Sequence, residues 1–234
     1  ETESLVVKNT PQQNVSANAV LKQNVLRLTQ HSTAVDNLID GTNCFSIVFP
    51  YRVLANGQEI SIQSFADYQQ VRSVFNSNPN DTDTVLPVFP IRVRYVDYTE
   101  SDLASAMAYE LAKSNCIGSA ELSCMRLQFP IKMEWFDWPT QSAGKLEFKQ
   151  ARDLFGFIAN LAPETAASFD YPLQITTPDA TVSVENNENL QQVIQTYIQD
   201  CAPNESGNPD LVFEEVLATG SWYVSYFFRE SDQT

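Results

Sequence analysis

The chain has little of what the common catalytic and nucleotide-binding motifs are built from. It holds one histidine, His31, and only seven glycines in 234 residues. A serine hydrolase needs a base beside its nucleophile, and no G-x-S-x-G frames a serine here. His31 reads instead as a surface or capping residue at the end of a leader helix. The few glycines form no phosphate cradle and no dinucleotide loop. Basic residues are scarce as well: 14 Lys and Arg stand against 29 Asp and Glu, a formal net charge of -15. Such a surface repels phosphate backbones and anionic headgroups, which argues against nucleic acid or a bare membrane surface as a direct partner. No apolar run approaches the roughly 18 residues that a spanning helix needs. No signal peptide is visible, and a chain opening on Glu1 reads as a processed product or a trimmed form.

Apolar residues make up 43% of the chain, with 14 Phe and 9 Tyr among them, so real cores are expected rather than disorder. Four aromatic-proline pairs recur at nearly constant spacing: Phe49-Pro50, Phe89-Pro90, Phe129-Pro130 and Tyr171-Pro172. Each lies in a strand-like run followed by a helix-like stretch, the mark of one unit used four times. Proline removes a ladder donor, so each leading strand is expected to be an edge or to bulge there. The aromatic before it is expected to pack over the helix of its own unit.

The first unit reads as ββα. Phe45, Ile47 and Phe49 alternate, Asn56-Gly57 signals a hairpin, and Glu59–Gln63 returns as a second strand. Ser64 with Asp67 forms a capping-box pair ahead of Phe65, Tyr68, Val71, Val74 and Phe75 at helical spacing. In the second unit Thr99-Glu100-Ser101-Asp102 reads as a helix start reaching Lys113, leaving the return strand short or absent. The third is expected to turn at Trp138-Pro139 and enter a helix near Lys145. The fourth has strands over 168–176 and 181–184 and a helix over 188–197. Ahead of all four, Ser16 is expected to cap a leader helix with Val20, Leu21, Val25 and Leu28 on its apolar face.

The four cysteines group these units in twos. Duplication favours Cys44–Cys116 and Cys124–Cys201, with Cys116–Cys124 the competing local pairing. A bridge closing a loop of about 70 residues stabilises by roughly 4 kcal/mol in the chain-entropy account. Matched, repeat-placed cysteines favour an oxidising compartment, and the absence of clustered ligands such as C-x2-C argues against zinc. The organisation expected is a tether and leader helix over 1–43, one module over 44–123, a second over 124–201, and a linker with the start of a β segment over 202–234. Within that last segment, Ser221–Phe228 is a strand with large apolar groups on both faces. It calls for insertion into the last sheet, a second chain, or a further domain, the reading favoured.

Few residues suggest binding chemistry. Asn78–Asp83 offers oxygens at alternating positions but lacks the glycine and terminal glutamate of a calcium-binding EF-hand loop. Trp135, Phe136, Asp137 and Trp138 put two indoles and a carboxylate near a hairpin tip, a candidate partner or sugar-stacking patch if exposed. Asp83-Thr84-Val85 resembles a short O-glycan acceptor pattern of secreted Bacteroidota proteins, with Thr84 the acceptor.

Taken together, Arg27–His31, Asp36–Asp40, Cys44–Pro50, the repeated Phe-Pro strands and the late Gly220-Ser221-Trp222-Tyr223-Val224 resemble uncharacterised envelope lipoproteins of flavobacteria. The resemblance implies a lipidated cysteine upstream, with residues 1–18 as the tether from the outer membrane. Any membrane link would run through that anchor, which this chain lacks. It also implies a C-terminal β domain continuing past Thr234. The expectation is an α+β fold of four tandem ββα-like repeats in two similar modules, with antiparallel sheets and helices packed on one face. Its expected role is non-catalytic: a cofactor-free binding or scaffolding subunit of an outer-membrane or cell-surface protein complex. A carbohydrate-binding protein using Trp135 and Trp138 is the alternative, and a hydrolase ranks third.

Overall fold

The leader begins with Asn18, whose side chain accepts from the Leu21 backbone at 3.0 Å and starts helix α1 (Ala19–Thr29). Ser16, the expected cap, instead donates to the Asn14 side chain. Leu21 and Val25 are buried on α1, but Val20, assigned to the same face, is 54% exposed. A 3-10 turn at Ala34–Asp36 and the short α2 (Asn37–Asp40) follow, ended by Gly41 at a φ of 59°. The computed structural model describes residues 14–78, 82–116, 121–199 and 201. Ser221–Phe228 and the middle of the Asn78–Asp83 loop lie outside them.

The four repeats then unfold in order. The first gives β1 (Phe45–Ile47), β2 (Tyr51–Ala55), β3 (Gln58–Ile62) and α3 (Tyr68–Phe75). The second gives β4 (Val85–Pro87), β5 (Ile91–Tyr95), β6 (Glu100–Leu103) and α4 (Ala106–Ser114). The third gives β7 (Arg126–Leu127), β8 (Ile131–Asp137), β9 (Ser142–Phe148) and α5 (Ala151–Ala159). The fourth gives β10 (Thr165–Phe169), β11 (Leu173–Thr176), β12 (Thr181–Val184) and α6 (Asn187–Tyr197). The fold is α+β, with these twelve strands in four antiparallel three-stranded sheets.

The prolines do not sit inside a strand. Each marks the break between the first and second strand of its unit, and all four aromatic-proline bonds are cis. Lacking an N–H, proline ends one ladder, and the chain resumes in another sheet. The units therefore trade their leading strands. Hairpin β2–β3 is completed by β4 of the next unit, while β1 completes hairpin β5–β6. The second module repeats this, β10 joining β8–β9 and β7 joining β11–β12.

The register is the same at all four crossings. The residue three before one proline lies opposite the residue three after its partner proline: Ile47 with Val93, Pro87 with Val53, Leu127 with Ile175, Phe169 with Met133. Beside each such pair runs a matching backbone bond. Val48 N donates to Arg92 O and Val88 N to Arg52 O, both at 2.8 Å; Gln128 N donates to Gln174 O and Asp170 N to Lys132 O, both at 2.9 Å. Within each hairpin the residue after proline lies opposite Ile62, Leu103, Phe148 or Val184, all buried. Two residues further, an extended residue enters the helix each time: Ser64, Ser105, Gln150 and Asn186. The aromatic before proline does reach its own unit's helical segment in three units. Phe49 packs on Phe65, Phe89 on Tyr109, and the Tyr171 hydroxyl donates to Asn187.

Two element assignments from sequence change. Glu100–Leu103 is a strand, because Asp97, Tyr98 and Thr99 form the hairpin turn, with Tyr98 at a φ of 66° and Thr99 bound to the Asp97 carboxylate. Arg94–Glu100 and Arg92–Asp102 are cross-strand ion pairs there, and the helix is capped later by Ser105. Lys145 likewise lies in β9, paired with Glu134, and the helix waits until Ala151.

Two cores result. One gathers Phe45, Val53, Ile62, Val71 and Val93 of the first module with Ile39 of the leader; the other gathers Met133, Leu154, Ile158, Ile175 and Ile194 with Leu21 and Val25 of α1. The leader helix thus packs on the second module, mainly against α5, although the first module follows it in sequence. Disulfides Cys44–Cys116 and Cys124–Cys201 close the modules one each, the pairing that duplication favours. Among the described residues no helix is long and apolar enough to cross a membrane.

Of the four helix entries, only Gln150 bonds neither to its own helix's N–H groups nor within a capping box. Serine there satisfies one of them. Gln150→Ser is expected to raise stability by about 0.5–1 kcal/mol in chemical denaturation, with an unchanged slope.

Candidate interaction surface

Strands β8 and β9 are seven residues each, the longest among the described strands, and their hairpin projects a turn over 138–141. Alternation puts Lys132, Glu134 and Phe136 on one face, opposite Glu147, Lys145 and Ala143 on the neighbouring strand. The charges pair as Lys145–Glu134 at 2.7 Å and Lys132–Glu147 at 3.8 Å. Both pairs are exposed, and each contributes little to stability. Beyond them Phe136 meets Trp138 edge to face, ring centroids 4.7 Å apart. Trp138 is 55% exposed, one of few large apolar side chains open to solvent among the described residues.

The turn beneath the indole is fixed by Asp137. Its carboxylate accepts from the Thr140 hydroxyl at 2.5 Å, the Thr140 N–H at 3.1 Å and the Thr165 hydroxyl at 2.9 Å. These donors hold the carboxyl below the usual carboxylate range, Thr140 contributing most. Trp138 N donates to Glu164 O, and the Gln141 side chain donates to Trp138 O. The aromatic pair therefore rides on a pinned turn, and ordering it on binding loses little entropy.

Trp135 is placed differently from Trp138. Its indole lies over Gly144 on the facing strand, where an added Cβ would come within 2.8 Å of Nε1, and it packs on the second core. The two tryptophans do not form one platform. The pair at the tip is the half-buried Phe136 and the exposed Trp138, and the signal for it was the even-numbered alternation along β8.

At the second module's crossing, Gln128, Lys132, Asp170 and Gln174 border a shallow cleft of about 260 Å³ floored by Phe129, Pro130, Pro172 and Leu173. The equivalent residues of the first module are Val48, Arg52, Val88 and Arg92, whose arginines pair with Glu59 and Asp102. Duplication kept the backbone at this crossing and changed its polarity.

His31 is half-buried rather than open at the surface. Its Nε2 lies 2.6 Å from Ser46 Oγ, and its ring packs on Tyr98. Burial, more than the nearby Arg94, pushes the imidazole down to about 4. Ser46 is buried within β1 opposite Arg94, so this neutral histidine ties the leader to the strand. Thr84 is exposed, and its N–H donates to the Asn56 side chain at 2.8 Å. Asp83 accepts from that same Asn56. Among the described residues no group of three or more His, Cys, Asp or Glu is placed to hold a metal ion.

Gly144→Val is expected to push Trp135 from its seat, lowering stability by about 1–3 kcal/mol in denaturation while leaving Trp138 as accessible to quencher as before. Compared with known proteins, the chain matches no family model, no curated protein and no solved structure.

Proposed function

We propose that the chain is a non-catalytic binding protein of the bacterial cell envelope, a subunit of an outer-membrane protein complex that docks through the Phe136–Trp138 tip. The observation that carries this reading is the exposed indole on a turn pinned by Asp137. Rigid aromatic anchors of this kind dominate protein interfaces. The two disulfides suit an oxidising, extracytoplasmic setting. The resemblance to flavobacterial envelope lipoproteins supplies the outer-membrane part of the proposal, with attachment through a lipid anchor. A tip with one exposed indole also suits stacking on a sugar ring, so carbohydrate binding is the second reading, now resting on Trp138 and Phe136 rather than on Trp135.

The test is co-purification from gently solubilised outer membranes, with glycan-array binding alongside. Trp138→Ala is expected to release the protein partners while changing stability by less than about 0.5 kcal/mol, as for an exposed site. Recovery of the wild-type chain alone would count against the scaffold reading. A glycan response lost in the same variant would favour the sugar reading instead.

A further inference from the structure

Two aspartates of the leader are buried where the first module needs a cover. Asp36 and Asp40 are 1% and 2% exposed. Among the described residues strand β1 lies at the edge of its sheet, with its outward Ile47 N–H free of any strand partner. Asp36 Oδ2 accepts that N–H at 2.7 Å. Asp40 Oδ1 accepts from the Thr42 N–H at 3.1 Å, and its backbone oxygen accepts from the Tyr109 hydroxyl and from Lys113 Nζ on α4. These bonds fasten residues 34–43 across β1 and α4.

The remaining oxygens, Asp36 Oδ1 and Asp40 Oδ2, are buried and meet no donor among the described residues. The two carboxyls lie four residues apart on consecutive short helical turns, each within the other's electrostatic reach. Two ionised carboxylates have only acceptors, so a proton held between them would satisfy both orphaned oxygens.

We propose that Asp36 and Asp40 share a proton, and that this proton latches the leader segment 34–43 over the open edge of β1, making the closure sensitive to pH.

The surrounding groups keep the proton in place. Burial pushes Asp36 up to about 7, with Glu121 adding to the rise, and raises Asp40 well above the usual carboxylate range, with the Asp36 charge adding to it. Among the described residues Lys113 is the cation acting against this on Asp40, and it reaches the backbone oxygen rather than the carboxyl. The hydroxyls of Tyr51 and Tyr68, bonded to each other at 2.9 Å, and that of Tyr109 face the pair; burial and the aspartate charges push all three above the usual tyrosine range. They stay neutral and supply no compensating cation. His31, also on the leader, faces Arg94, Glu100 and Arg152 instead.

The sign follows. A carboxyl raised in the folded state contributes stability that is complete below its unfolded value near 4 and is lost as pH rises through the folded value. His31 is lowered, so its contribution runs the other way, rising with pH between about 4 and 6.5. A difference between variants that share His31 isolates the aspartate pair.

Asp40→Asn carries a permanent donor in place of the proton. With disulfides intact, the unfolding constant of wild type relative to Asp40→Asn is expected to grow by about tenfold or more between pH 6 and 9. A ratio that stays flat overturns the proposal. Wild type alone gives a second readout, should the variant fold poorly. Carbon NMR of its aspartate carboxyls is expected to show one of the pair still protonated at pH 6.5, and exchange protection of the Ile47 amide is expected to fall at least tenfold from pH 6 to 9. Two fully ionised carboxyls at pH 6.5, or constant protection of Ile47, would equally overturn it.

Discussion

Everything in this structure depends on the exchange of leading strands between neighbouring units. A hairpin of two short strands is marginal in water, and a third strand with a hydrophobic face is what makes such a sheet hold. Here the third strand of each hairpin belongs to the other unit, so neither unit can complete its sheet without its partner. Proline makes the exchange obligatory. It stops the first ladder because it has no N–H, and the reciprocal bonds from Val48 and Val88, and from Gln128 and Asp170, lock the two segments at the crossing. The module of two units is therefore the smallest piece with a closed core, and each disulfide ties the ends of one such piece.

This arrangement explains why the sequence was legible at some levels and misleading at others. The period, the two modules and the cysteine pairing follow from positions that every unit must keep: proline, the aromatic before it, and the apolar residue after it. The Asn56-Gly57 hairpin was legible because Asn56 and Gly57 supply the positive φ values the turn requires. The exchange was not legible. A strand before proline reads the same whether it continues in its own sheet or crosses to another, because the buried alternation is identical. The return strand β6 was hidden because Glu100, Ser101 and Asp102 resemble a helix start, while their role as partners of Arg94 and Arg92 depends on a neighbour in space.

The candidate surface divides in the same way. That an aromatic cluster lies at a hairpin tip was readable from Trp135 to Trp138. Which aromatics face solvent depends on Gly144, whose missing side chain leaves room for Trp135 and so separates it from Trp138. His31 reads from sequence as a surface or capping residue, and the leader aspartates carry no assigned role, because their partners, Ser46 and the Ile47 N–H, belong to a strand edge that exists only once β1 has crossed over. The leader serves both modules, α1 filling the second core and residues 34–43 sealing the first. Tyr98 joins them, bonding Thr29 O while packing against Phe155 of α5.

Native-state hydrogen exchange tests the central claim most directly. If exchanged strands make each pair of units one cooperative body, the amides of β2 and β5 share a single opening free energy and respond alike to denaturant. The same holds for β8 and β11. Opening of β2–β3 at a clearly lower free energy than β5–β6, with β5 still protected, would contradict it.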